Sequence, residues 1–196
     1  MMKIEELLAY FDEGRSFGDD PAIILAMRAY IQENRRLLFE MNNVWHEDPN
    51  EITELFARIT AKPVGKGVRI ETPFYTDFGK NITVGNNVFI NAGCKFQDQG
   101  GIVIGDGTFI GHNTVLATLD HDFDPDRRHI LYPAPIHIGR KVWIGAGVIV
   151  TKGVTIGDNS IIAAGAVVTH DVPPNVIAAG VPAKVLRDIS RTPRRS

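Results

Sequence analysis

A six-residue period governs the middle of the chain, and few architectures tolerate it. Val84, Ile90 and Phe96 lie six apart, as do Ile104, Ile110 and Leu116. Ile138, Ile144, Val150, Ile156, Ile162 and Val168 continue the count without a break. Two residues before each of these positions stands a second row: Ile82, Val88, Cys94, Ile102, Thr108, Thr114, Ile136, Val142, Val148, Val154, Ser160 and Ala166, all apolar or small. A helix repeats its apolar face about every 3.6 residues and a half-buried strand about every two, so neither yields six. A parallel β-helix does. Each hexapeptide makes one short strand and one corner, and three make a coil. Stacked coils then sit about 4.8 Å apart, as neighbouring strands do. A β-sandwich would have to match all twelve aliphatic positions by coincidence.

Glycine fits this reading. Fourteen of the 19 glycines fall between Gly79 and Gly165, a stretch also rich in β-branched residues, which predicts many short strands with tight corners. Gly85, Gly105, Gly139 and Gly157 each follow the first aliphatic of a triplet. Such a corner needs either positive φ or no Cβ.

The register breaks are informative. Phe96 to Ile104 spans eight residues, with Gly100-Gly101 as the surplus, and Leu116 to Ile138 spans 22, leaving Asp120 to Pro135 as 16 extra residues. Ile70, Thr76 and Val84 place another surplus near Lys80-Asn81. All three insertions leave after the third face of a coil. They therefore stack on one edge of the prism, with Asp77, Asp98 and the long loop one coil apart. A long loop without secondary structure is uncommon and usually functional.

Residues 1–60 read as a helical segment. Asp20-Pro21 is an N-cap followed by proline at the first helical position, and Ile24, Met27, Ile31, Leu38 and Met41 form a stripe. A further helix opens at Asp48-Pro49, with Ile52, Leu55, Phe56 and Ile59 on one face. The expected organisation is this segment, a β-helix over 61–187 with the inserted loop 120–135, and a basic tail over 188–196. Of the arginines at the end, Arg187, Arg191, Arg194 and Arg195, the last three read as a solvated terminus.

Composition narrows the function classes. With 21 basic and 23 acidic residues the net charge is −2, so no broad basic field points to nucleic acid or an anionic membrane. The single cysteine, Cys94, supplies neither an intrachain disulfide nor a thiolate cluster and packs in the inward row. No apolar run reaches about 18 residues. The start, with Lys3, Glu5, Glu6, Asp12 and Glu13, does not read as a signal peptide. A cytoplasmic protein is expected.

The long loop carries His121, His129, four aspartates and two arginines. Such density on a rigid scaffold suits chemistry. His121, two residues in, keeps a backbone fixed by the coil and is the better positioned base; His129 lies deeper and is less anchored. On loop chemistry alone, a solvated polar loop remains an open alternative.

Several motifs resemble those of the hexapeptide-repeat acetyltransferases over residues 60–187. They are Asp77-Phe78-Gly79-Lys80-Asn81-Ile82, Val142-Trp143-Ile144-Gly145, Gly153-Val154-Thr155-Ile156-Gly157-Asp158-Asn159, Val172-Pro173-Pro174-Asn175 and Ala179-Gly180-Val181-Pro182-Ala183. With the N-terminal helices, the His121 loop and the ending Gly-Val-Pro-Ala-Lys-Val-Leu-Arg, the whole chain resembles the maltose, galactoside and nodulation-sugar O-acetyltransferase subgroup.

The resemblance implies a left-handed parallel β-helix, an exception to the usual right-handed crossover. It implies a homotrimer with acetyl-CoA, as co-substrate, between neighbouring prisms, and a sugar or sugar-like hydroxyl as acceptor. His121 matches the family's catalytic histidine and Asn91 an asparagine that contacts the acceptor. Asp77 and Asp98 match acceptor-side positions, and Asp19 an acidic residue near the first helix. Trp143, Ala146, Ala164, Thr169, Lys184 and Arg187 match positions lining the CoA channel. His170 stands in that channel where many relatives have lysine, and Gln97-Asp98-Gln99 departs from the commoner Leu-Asp pattern.

The chemistry follows. A sugar hydroxyl is a poor nucleophile at neutral pH, so a neutral imidazole removes its proton as the oxygen attacks the thioester. The corner at Gly145-Ala146 offers backbone N–H groups to the oxyanion, and Lys184 and Arg187 suit CoA phosphates. No metal is required. Asn91 follows the second face and His121 the third, so one prism separates them by a whole face. A site shared between subunits is therefore expected. Two alternatives use the same fold. One is a zinc lyase of the carbonic anhydrase type, for which His112, His121, His129 and His137 lack close paired spacing. The other is a catalytically silent scaffold. Trp143, on an outward strand position, suits either a trimer contact or CoA.

Overall fold

The computed structural model describes residues 2–189, so Arg191, Arg194 and Arg195 lie outside the described residues. Three helices come first. α1 (Ile4–Asp12) lies within the expected helical segment, and Gly14 (φ 69°) and Gly18 (φ 138°) mark the break after it. α2 (Pro21–Asn43) starts at Asp20, whose carboxylate accepts from the N–H of Ala22 (2.9 Å) and Ile23 (3.3 Å). Its fully buried residues are Ile23, Ala26, Asn34, Leu37 and Met41, whereas the expected Ile24, Met27, Ile31 and Leu38 are half-buried. The buried stripe takes in Asn34, a polar residue, which turns inward to donate its amide to the Phe78 carbonyl. α3 (Pro49–Thr60) is capped by Asp48, which accepts from Asn50 N–H at 2.8 Å, and buries Ile52, Leu55, Phe56 and Ile59 as the spacing predicts.

From Val68 the chain winds as a parallel β-helix. The first coil is β1 (Arg69–Ile70), β2 (Tyr75–Thr76) and β3 (Ile82–Val84); the second is β4 (Phe89–Ile90), β5 (Lys95–Gln97) and β6 (Ile102–Ile104). The third holds β7 (Phe109–Ile110) and β8 (Val115–Ala117), then a hairpin of β9 (Leu119–His121) and β10 (Leu131–Pro133), then β11 (Ile136–Ile138). β12 (Trp143–Ile144), β13 (Ile149–Val150) and β14 (Thr155–Ile156) form the fourth, followed by β15 (Ile161–Ile162), β16 (Val167–Val168), β17 (Val176–Ala179) and β18 (Lys184–Asp188). β3, β6, β11 and β14 make the first face, β2, β5, β8, β13 and β16 the third, and the remaining coil strands the second, all in parallel register. Every residue of both six-period rows is buried.

The corners resolve the glycine question. A Cβ on Gly105 or Gly139 would press into the backbone of the coil stacked on it, so the absent Cβ is what matters there. Positive φ falls two residues later, at Gly107 (70°) and Lys141 (54°).

Both ends of the solenoid are covered. Phe56 of α3 packs edge-on against Phe74 at 5.5 Å, and Phe74 against Phe96 at 5.1 Å. At the far end β18 runs antiparallel to β17. The three insertions do share one edge, between the third and first faces: Asp77 N–H bonds the Phe96 carbonyl (3.2 Å) and Thr118 N–H the Gln97 carbonyl (3.1 Å). The long one is not structureless, since Leu131 pairs with His121 and Tyr132 with Asp120.

Candidate active site

His121 ends β9. Its Nδ1 lies 2.5 Å from the carbonyl oxygen of Arg128. A carbonyl only accepts, so Nδ1 carries the proton, and in the neutral ring Nε2 presents a lone pair. Leu131, its pairing partner, also exchanges backbone hydrogen bonds with Phe17, at 2.6 and 3.0 Å. His129, expected to be loosely held, is anchored instead: its Nε2 lies 2.6 Å from Asp19 Oδ1. That contact closes 110 positions of chain and is invisible to local reading.

The residues flanking His121 are clamped too. Asp122 accepts from Asp124 N–H (3.0 Å) and the Tyr132 hydroxyl (2.8 Å), with Arg127 at 3.4 Å. These donors, led by the Asp124 N–H, hold its carboxyl below the ordinary range, and Asp122 in turn raises the Tyr132 phenol. Asp120 pairs with Lys152 at 3.2 Å. Asp120, His121, Asp122, Phe123, Tyr132 and Lys152 line a pocket of about 470 Å3, and the Phe123 side of it is open, with that residue 91% exposed. A larger hollow, about 570 Å3 between Trp45, Pro49 and Arg69, contains none of the predicted site residues.

Several of the other predicted positions fall on two edges of the prism. Asp77, Thr169 and His170 share the third-to-first edge with His121; Asn91, Ala146 and Ala164 lie on the second-to-third edge. Ala146 and Ala164 stack directly, Gly165 N–H bonding the Ala146 carbonyl at 2.9 Å. Trp143 stands on the second face, 56% exposed. Lys184 and Arg187 project from β18 beside that face, both exposed. Within one chain the third face separates the two groups.

Several of the expected site residues are engaged within the chain. Asp98 is sealed from solvent. Thr76 Oγ1 (2.7 Å) and the N–H groups of Phe78 (3.0 Å) and Asn81 (3.2 Å) donate to it. Its oxygens are taken up by these internal donors along the edge. Burial pushes its carboxyl upward, outweighing these donors and the Gly79 N–H. Asp19 is committed to His129 and lines a separate hollow with Phe17, Arg127 and Ile130. At the expected oxyanion corner, the Gly145 N–H is spent on the Ile162 carbonyl at 2.8 Å. His170 Nδ1 lies 2.9 Å from Thr169 Oγ1. His112, His121, His129 and His137 sit at a corner, in the hairpin and on the first face, and no group of three or more metal-ligating side chains occurs among the described residues.

Lys152 and Tyr132 also line the pocket, and the sequence alone does not single them out. Lys152 sits outward at an ordinary corner of the repeat and has no sequence signal. Tyr132 could have been inferred only from the hairpin register.

Comparison with known proteins agrees with this architecture. Residues 135–170 match the family described as bacterial transferase hexapeptide (six repeats). The galactoside O-acetyltransferase of Escherichia coli is 40% identical over 165 residues, 80% of this chain and 77% of that protein. A maltose O-acetyltransferase from Clostridium difficile superposes with a TM-score of 0.85 at 34% identity, covering 93% of this chain and 96% of that one. A galactoside acetyltransferase in complex with coenzyme A gives the same TM-score and identity, covering 96% and 92%. The chain therefore belongs to the hexapeptide-repeat acetyltransferases and is an acyltransferase. No described helix is long and apolar enough to cross a membrane.

Proposed function

We propose that this acetyltransferase moves an acetyl group from acetyl-CoA to a hydroxyl of a sugar or sugar-like acceptor, with His121 as general base. The observation that carries the reading is the His121–Arg128 contact, which leaves Nε2 as the free basic nitrogen of a histidine that lines a pocket. Nε2 takes the hydroxyl proton, the acceptor oxygen bonds to the thioester carbonyl carbon, and the C–S bond breaks. The departing CoA sulfur recovers the proton from the imidazolium. Lys184 and Arg187 meet the CoA phosphates, and Trp143, Ala146, Ala164, Thr169 and His170 border its path. The relatives' names, galactoside and maltose O-acetyltransferase, support a saccharide acceptor.

The working unit is a homotrimer with its third faces turned inward. This brings the His121 edge of one subunit beside the Asn91 edge of the next, uniting groups that one prism keeps apart. The outward residues of that face support the arrangement: Tyr75 and Ile149 are exposed, and Val115 and Val167 half-buried. Asp77 lies on the same edge as His121.

The test is CoA release from acetyl-CoA against a panel of sugars and amino sugars, with His121→Ala alongside. Turnover with a hydroxyl acceptor that falls about a thousandfold in the variant is expected. Undiminished turnover would remove His121 from the mechanism. Stoichiometric zinc in the purified protein would point to the lyase chemistry instead.

A further inference from the structure

We propose that Lys152 is a positioning residue for His121, holding the hairpin that carries the base against the body of the coil. The proposal rests on His121 being the base.

The hairpin projects from the prism after Thr118 and returns at Pro135, with His121 at the outer end of β9. A two-stranded hairpin is marginal by itself and needs packing to hold one geometry. Lys152 supplies a link from below. It belongs to the corner between β13 and β14, where Thr151 N–H bonds the Val168 carbonyl at 3.0 Å and Gly153 turns with φ 75°. That corner is built into the stacked coils, so the lysine rises from a fixed base.

Its ammonium reaches both strands. Nζ lies 3.2 Å from Asp120 Oδ2 on β9 and donates to the Tyr132 carbonyl on β10 at 3.3 Å. Asp120 and Tyr132 are direct register partners, one rung from the His121–Leu131 pair. The cation thus bridges the rung adjacent to the base and reads both strands at once. The lysine side chain is only 26% exposed, so the contact is partly shielded from water. On the outer side Phe17 grips Leu131 by two backbone bonds. Between these anchors His121 has little freedom to tilt. The rest of its orientation comes from the Arg128 carbonyl on Nδ1, which faces the ring only while the hairpin keeps its place. Displacement of a catalytic group by about 1 Å costs up to about a hundredfold in rate.

The experiment compares full-length wild type, Lys152→Met, which keeps length and loses charge, and Lys152→Arg, which keeps charge. One readout is the long-range 1H–15N correlation pattern of the His121 ring, recorded without substrate. The other is steady-state acetyl transfer. The expected result is a wild-type ring protonated at Nδ1, a mixed tautomer pattern in Lys152→Met, and the wild-type pattern in Lys152→Arg. Lys152→Met should lose about tenfold in kcat with KM for acetyl-CoA within about twofold, and Lys152→Arg should recover most of the loss. An unchanged ring pattern in Lys152→Met overturns the proposal, whatever happens to turnover. So does an equal loss in both variants accompanied by a lowered Tm, which would make the lysine a folding element alone. Absence of acetyl transfer by the wild type would defeat the reading of the base and leave the ring pattern to judge the strap.

Discussion

The carboxylate of Asp98 lies 2.7 Å from the Thr76 hydroxyl one coil away, and the aspartate is fully enclosed. The pair closes the edge on which all three insertions stack. Asp98→Asn replaces an acceptor with an NH2 group facing the N–H of Asn81 or of Phe78, setting donor against donor. A loss of about 2 kcal/mol in urea unfolding is expected, and more for Asp98→Ala, which strands every donor. An unchanged midpoint would show that water satisfies these groups.

The same residue carries a pH signature. Its folded-state value is raised by burial, so the native state binds this proton more tightly than the unfolded chain does. This contribution favours folding at low pH and disappears as pH climbs through the folded value. The stability gap between wild type and Asp98→Asn should therefore widen on acidification from about pH 7 to about pH 4. A gap that narrows would mean the hydrogen bonds outweigh burial.

Asn91 and His121 sit on different edges of the prism. Mixed oligomers of His121→Ala and Asn91→Ala chains, refolded together, should regain activity that neither homo-oligomer has. In the proposed trimer, equal mixing leaves intact some of the interfaces that pair a wild-type His121 with a wild-type Asn91. No recovery in mixtures shown by mass analysis to contain both chains would place each site within one subunit.

Cys94 is fully buried, with Sγ 3.3 Å from the Gly111 carbonyl oxygen, and burial pushes its thiol up to about 11. A disulfide reagent at about pH 8 should label the unfolded chain fully and the native protein negligibly, because the thiolate is the nucleophile. Rapid native labelling would reveal opening of the second coil.

His46 joins α2 to α3. Its Nδ1 lies 2.9 Å from Glu51 Oε2 and its Nε2 3.2 Å from the Glu40 carbonyl. The Glu51 bond raises its pKa, so its stabilisation is complete below the unfolded value of about 6.5 and is lost as pH rises through the folded one. The Tm difference between wild type and Glu51→Gln should be present near pH 5.5 and vanish near about pH 9. A difference growing with pH would exclude the charged pair.

What could be read from the residues follows from how local each constraint is. The period of six fixes the inward rows of the coil strands from Ile82 to Val168, the inserted hairpin aside, and burial obeys it at every one of those positions. Counting surplus residues also places Asp77, Asp98 and the hairpin on one edge, because each coil must close before the next begins. Residue type, by contrast, hides direction. Asn34 is polar yet buried on the inner face of α2, and Asp98 is an acidic residue yet turned inward. The anchoring of His129 by Asp19 and of Asp120 by Lys152 depends on segments meeting across 110 and 32 positions, and no periodicity reports such meetings.

A repetitive ladder of this kind has no inherent stopping point, since each coil offers the next an identical template. Here Phe56 of the helical segment packs over one terminus and the strand Lys184–Asp188 runs reversed along the second face at the other, so neither end continues the parallel template of the coils.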